Sequence, residues 1–230
     1  MSKLSRIPRK ARTGLRLAAA AAANGSRQIR GLLSVGFLPP PGDGMQNFAR
    51  MRFLYESVRK FAPRSGGVAL EVGVYNAGST VYLAKAALRS GIERIVGIDL
   101  FTGTPSWNQS IDTLPTALER VARYGLSRDV TLIRSHSLQY DWKEPIAVLH
   151  LDADHEYSAV AADIAHYAPH VIEDGIIVFD DYDTTHPGVL RAVHELLSAG
   201  SGFEVAAVNY QRPEYGSVCV KRHRAGNTGN

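Results

Sequence analysis

The 230-residue sequence predicts an α/β protein: a doubly wound, mostly parallel seven-stranded sheet with an N-terminal helical extension. Three observations predict it. Short apolar runs alternate with segments of helical periodicity from residue 68 to residue 221. The runs are near-continuously hydrophobic, as strands buried on both faces are. Acids, glycines and small polar residues gather where the runs end, on the edge where open parallel sheets bind ligands.

Residues 45–61 carry Phe48, Met51, Phe53, Leu54, Val58 and Phe61 at three- and four-residue spacing, the stripe of an amphipathic helix. Pro63-Arg64-Ser65-Gly66-Gly67 stops it, and residues 68–74 form the first strand. Helices are expected over residues 80–90, 113–124, 157–170 and 189–199, and strands over 94–100, 130–133, 146–151 and 175–179. A short irregular or helical piece falls near Leu138. Residues 203–208 and 217–221 close the sheet as a hairpin-like pair, so one of the two runs antiparallel.

Three parts are expected: a basic helical arm with a Pro/Gly linker over residues 1–44, a catalytic domain over 45–221, and a flexible tail over 222–230. Eight positive side chains precede the first acid, Asp43, so the net charge of +4 leaves the remaining two hundred residues at −4. The pI of 9.2 therefore describes a basic arm on a mildly acidic body and does not point to nucleic acid. Pro39-Pro40-Pro41-Gly42 cannot continue a helix and marks the linker. Cys219 is the only cysteine, which excludes an intramolecular disulfide; it lies in an apolar run and reads as core. No apolar run approaches the roughly 20 residues of a membrane helix. The alanines of residues 18–23 follow basic residues, but the charges are spread through the stretch and do not lead it as in a signal peptide. The expectation is a cytoplasmic protein, with the arm and the 45–61 helix as possible homo-oligomer contacts.

Chemistry is expected at the strand ends. The run 146–151 ends in Asp152-Ala153-Asp154-His155, and the run 175–179 ends in Asp180-Asp181. Four carboxylates in one crevice repel one another unless a cation stands among them, and hard divalent ions favour such oxygens. After the first strand, Glu71-Val72-Gly73 leads through Gly78 to Ser79, where glycines admit a ligand close to the backbone and Ser79 is placed to cap a helix. An acid before the glycines suits a ligand carrying positive charge. This loop has neither the Gly-x-Gly-x-x-Gly spacing of dinucleotide binders nor the lysine of a P-loop. Asp99 ends the second strand, where a carboxylate suits ribose hydroxyls, and Ser137 follows the third, beside the place of a base.

Together these stretches resemble the class I S-adenosylmethionine-dependent methyltransferases. More narrowly, they are similar to the metal-dependent O-methyltransferases, which include catechol-type, macrolide and rhamnosyl sugar enzymes and cephalosporin-hydroxylase-like proteins. The likeness rests on ALEVGVYNAGSTVYLAKAAL, IVGIDLF, LHLDADHEYSAVAADI and GIIVFDDYDTTHPGVLRAVHEL. It implies that Glu71, Gly73, Gly78 and Ser79 take the methionine portion of S-adenosylmethionine, Asp99 the ribose, and Ser137 the adenine. It implies a divalent ion, Mg²⁺ or another, on Asp152, Asp180 and Asp181. The catechol-type base is a lysine three residues after the first ligand; His155 stands there, so His155 with the metal-bound Asp152 forms the expected catalytic pair. The implied acceptor is a hydroxyl of a sugar, polyketide or phenolic compound, as in secondary metabolism. Asp154 is expected to support the following helix, and His186 to be a loop residue. Two other classes fit parts of the pattern. Asp152-Ala153-Asp154 is similar to the DxD of nucleotide-sugar glycosyltransferases, and a non-catalytic relative would retain the cofactor cleft alone.

Overall fold

The computed structural model describes residues 48–64, 66–103, 111–198, 200–210 and 216–224. The basic arm, Trp107, the middle of the closing hairpin and the end of the tail lie outside them.

The first helix, α1 (Phe48–Phe61), buries Met51, Leu54, Tyr55, Ser57 and Val58 and ends with Arg59 and Lys60 against the negative end of its dipole. Then follow β1 (Val68–Val72), α2 (Gly78–Arg89), β2 (Ile95–Asp99), α3 (Leu114–Arg123), β3 (Val130–Arg134) and a 3₁₀ turn at Ser137–Gln139. The second half contains β4 (Ile146–Leu151), α4 (Tyr157–Tyr167), β5 (Val171–Phe179), α5 (Pro187–Leu197), β6 (Phe203–Tyr210) and β7 (Gly216–Arg222). The expected 157–170 helix divides at Ala168, where Pro169 gives a 3₁₀ turn.

The seven strands form one sheet in the order β3-β2-β1-β4-β5-β7-β6. Only β7 opposes its neighbours, pairing antiparallel with both β5 and β6. The order reverses between β1 and β4, which leaves a crevice at their carboxyl ends. Strand alternation sends Leu70, Val72, Leu149, Leu151, Ile177, Phe179, Val218 and Val220 into a core with Val160, Tyr167, Val189 and Val193 of α4 and α5. The intervening residues, among them Glu71, His150 and Cys219, face the layer of α1 and α2. Cys219 is buried, and burial pushes its thiol up to about 12, so it packs as an apolar residue.

The strand expected from residue 175 begins at Val171. Val171 pairs with Ile146, but Ile176 already pairs with Val148, so the intervening residues bulge through Asp174 at φ 61° before the regular ladder starts. No helix among the described residues is long and apolar enough to cross a membrane.

Candidate active site

The end of β1 is shaped by contact with β4. Gly73 has φ +89°, and a Cβ there would lie 2.1 Å from the carbonyl oxygen of Asp152, so only glycine lets the two strand ends approach. The chain turns through Tyr75 (φ 49°) and Ala77 (φ 58°) into α2. Ser79, expected to cap this helix, is buried in its first turn; Ala77 holds the capping position and no side chain caps the helix. The first N–H groups of α2, beginning at Gly78, are therefore left for backbone or ligand oxygens.

Asp99, at the end of β2, latches this loop. One carboxylate oxygen accepts the N–H of Val74 at 2.7 Å and of Tyr75 at 2.8 Å, and the other accepts the N–H of Phe101 at 2.5 Å. Three of roughly four acceptor positions are thus taken, leaving about one for a ligand hydroxyl. Glu71 is enclosed by groups of the chain itself. Its position in β1 directs it toward α2, where it is fully buried and accepts hydrogen bonds from Thr80 Oγ1 and, at 2.9 Å, His150 Nδ1. Its positive partner is an imidazole of the chain. Burial disfavours the charged form of His150, but Glu71, then Asp152 and Asp180, outweigh it and raise the pKa.

Ser137 stands in the 3₁₀ turn after β3, and its carbonyl accepts Tyr167 Oη at 2.7 Å. Asp163 of α4, not singled out in the sequence, is buried with Oδ1 unpartnered and lines a pocket with Leu151, Asp152, His155 and Asp180. Burial raises its pKa, eased by a hydrogen bond from Ser137.

The acids of β4 and β5 converge as expected. Asp154 is exposed and its Oδ1 accepts the N–H of Glu156 at 2.8 Å, supporting the entry to α4. Successive residues of a strand point to opposite faces, yet Asp180 and Asp181 face one site. The reason is the backbone of Asp181, which turns left-handed at φ 52°. Its Oδ2 lies 2.9 Å from Nε2 of His155, whose side chain is 43% exposed. Gly188, in the first turn of α5, presses on the same segment; a Cβ there would meet the His155 carbonyl oxygen at 2.3 Å. His186 belongs to the cluster after all. Its ring packs edge-on against His155 with centroids 4.4 Å apart, and its Nδ1 lies 3.0 Å from Asp183 and 3.6 Å from Asp181.

Arg50 was not singled out in the sequence either. Its Nε donates to Asp180 Oδ1 at 2.6 Å, and its Nη2 contacts Asp180 Oδ2, lies 3.0 Å from Asp181 Oδ1 and 4.0 Å from Asp152 Oδ1. Ser217 Oγ donates to Asp180 Oδ1 at 2.8 Å. The available signal was position: Arg50 stands four residues before Leu54 and eight before Val58, on the buried stripe of α1, where a charge requires a partner.

Charge follows from these contacts. Burial and the charge of Asp180 raise Asp152, against Arg50 and His150. Burial would also raise Asp181, but the His155 hydrogen bond and Arg50 outweigh it and lower the pKa. His155 is raised, chiefly by its hydrogen bond to Asp181, with burial opposing.

Residues 70–182 match the model of a family described as a methyltransferase domain. Over that segment, just under half of the chain, the sequence is similar to a methyltransferase domain. Solved structures agree on the fold. The O-methyltransferase NovP superposes with a TM-score of 0.65 at 17% identity, covering 83% of this chain and 86% of its own. The O-methyltransferase TomG from Streptomyces achromogenes, in complex with SAM, gives 0.59 at 17% identity, covering 86% and 89%. An rRNA methylase from Streptococcus thermophilus gives 0.54 at 14% identity, covering 78% and 99%. No curated protein sequence matches the chain. At 14–17% identity these likenesses concern the fold, and the acceptor has to be argued from the site itself.

Proposed function

We propose that this protein moves a methyl group from S-adenosylmethionine to a hydroxyl oxygen of a small molecule. The observation that carries the reading is the His155–Asp181 pair at the mouth of the cleft. Asp181 is held ionised and can only accept, so Nε2 of His155 donates to it and Nδ1 is left to accept a proton. An exposed imidazole oriented by a buried carboxylate is a general base for an alcohol or phenol. The uncapped N-terminus of α2 suits a carboxylate, and the acceptor position left on Asp99 suits a ribose hydroxyl. Gly73, Gly78, Ser79 and Ser137 are assigned in this reading to the same ligand, on the strength of their places after β1 and β3.

S-adenosylmethionine supplies an electrophilic methyl group on a sulfonium sulfur. The protein's share is to bind it beside the acceptor, exclude water and take the hydroxyl proton on His155 Nδ1 as the oxygen becomes the nucleophile. Magnesium or another divalent ion on Asp152, Asp180 and Asp181, implied by the family resemblance, fits these residues poorly as they stand. Both oxygens of Asp180 and both of Asp181 already have partners in Arg50, Ser217 and His155. Metal dependence stands as a second reading, favoured by the mutual approach of ligand atoms in His155, Asp181 and His186, and in His150, Asp152 and Asp180, all within 4.8 Å in each group.

Calorimetry with S-adenosylhomocysteine and with UDP-sugars, followed by methyl transfer to a panel of sugars, catechols and polyketide alcohols, tests the proposal. His155→Ala is expected to slow transfer by about 10²- to 10⁴-fold while S-adenosylhomocysteine binding stays near wild type. Binding of a UDP-sugar without any S-adenosyl ligand would establish the glycosyltransferase reading instead. Cofactor binding with no turnover on any hydroxyl would leave a non-catalytic relative.

A further inference from the structure

Three carboxylates and no metal would be untenable in a half-buried site unless some other cation stood among them. The chain supplies one. Arg50 reaches the cluster from α1, a helix that precedes the matched segment 70–182, and its side chain is 11% exposed. A guanidinium stays protonated under all ordinary conditions, and its two adjacent nitrogens meet the two oxygens of a carboxylate as a fork. Here Nε and Nη2 grip Asp180, and the same Nη2 lies 3.0 Å from Asp181 and 4.0 Å from Asp152. One nitrogen is therefore within ion-pair distance of all three acids. A six-coordinate ion such as Mg²⁺ needs oxygens at about 2.0–2.1 Å, and those of Asp180 and Asp181 are engaged. It would also stand a few ångströms from a fixed positive charge.

We propose that Arg50 is the resident cation of this site, standing where a divalent ion would otherwise sit, and that the protein binds no metal there. Its second consequence rests on the methyl-transfer reading: with Arg50 fixing Asp180 and Asp181, the orienting partner of His155 is held in place without a metal. Arg50 is thus a positioning residue, acting through Asp181.

The test is Mn²⁺ binding by the full chain, stripped with chelator and followed by electron paramagnetic resonance. Wild type is expected to bind Mn²⁺ on the order of a hundredfold more weakly than Arg50→Met, because removing a unit charge beside the site frees its carboxylates for the ion. Wild type taking up one Mn²⁺ per chain as tightly as Arg50→Met, with Mg²⁺ competing, would overturn the proposal. If Arg50→Met does not fold, the melting temperature of wild type decides alone. It is expected to be the same in EDTA and in millimolar MgCl₂, and a rise with MgCl₂ would overturn the proposal. Calorimetry with S-adenosylhomocysteine on the same wild-type sample separates the two readings. Absent binding refutes the methyl-transfer function, while the Mn²⁺ result still decides the role of Arg50.

Discussion

Glu71 and His150 are opposite partners on β1 and β4, both fully enclosed, with Thr80 holding the second carboxylate oxygen. Glu71→Gln keeps the shape and removes the charge, leaving a buried imidazole with no counter-charge on its own ring. Truncating one member of a buried, hydrogen-bonded pair costs about 3–5 kcal/mol. For a chain of this length that corresponds to a fall in melting temperature of about 6–20 °C. The pH dependence sharpens the expectation. His150 has a folded pKa above its ordinary 6.5, so the stability it contributes is full below that value and declines as pH rises from there through the folded pKa. The deficit of Glu71→Gln should therefore be largest in mildly acidic buffer and narrow in alkaline buffer. Urea denaturation of both proteins at about pH 6 and about pH 9 measures it. A deficit equal at both pH values, or one below about 1 kcal/mol, would refute the account of the pair as a buried ion pair.

Two further expectations concern the geometry of the cleft. Gly73→Ala forces a Cβ to within 2.1 Å of the Asp152 carbonyl oxygen at a left-handed φ, so the ends of β1 and β4 must part. A loss of about 2–5 kcal/mol in urea denaturation is expected, and a loss under 1 kcal/mol would show that the strand ends yield freely. His155 works as a base only when neutral, so methyl transfer should rise with pH through its raised pKa. Asp181→Asn removes the largest cause of that rise and should move the acid limb of the rate profile to lower pH; an unmoved limb would show that another group is titrating.

Most of the fold was legible because alternation of buried runs and amphipathic stretches is a local property of the chain. The differences arise where the backbone leaves a regular path: β5 starts early because Val171 finds Ile146 across a bulge, and α2 starts at Gly78 because Ala77 turns left-handed. Asp152, His155, Asp180 and Asp181 could be placed together because β4 and β5 are neighbours whose ends share an edge. Glu71 and Asp99 were read from position in a motif, which does not tell which partners a carboxylate finds first. One found His150 and Thr80, the other three backbone N–H groups. Arg50 lies 130 residues from Asp180, and only the packing of α1 against the sheet connects them.

The left-handed residues have a consequence for engineering. Of the five non-glycine residues with positive φ among those described, Tyr75, Ala77, Phe101 and Asp181 all follow the carboxyl end of a strand, and only Asp174 does not. Each carries a conformational cost of roughly 1–2 kcal/mol that glycine would not. Glycine at Phe101 or Asp181 would also remove a fully buried ring or the carboxylate that pairs with His155 and Arg50, so of these Ala77 is where glycine would chiefly relax the backbone, trading pre-organisation beside the expected substrate for thermal tolerance. Asp174, on the bulge and away from that edge, pairs with Lys221 and Arg224, so glycine there would exchange two surface ion pairs for backbone relief without a catalytic penalty.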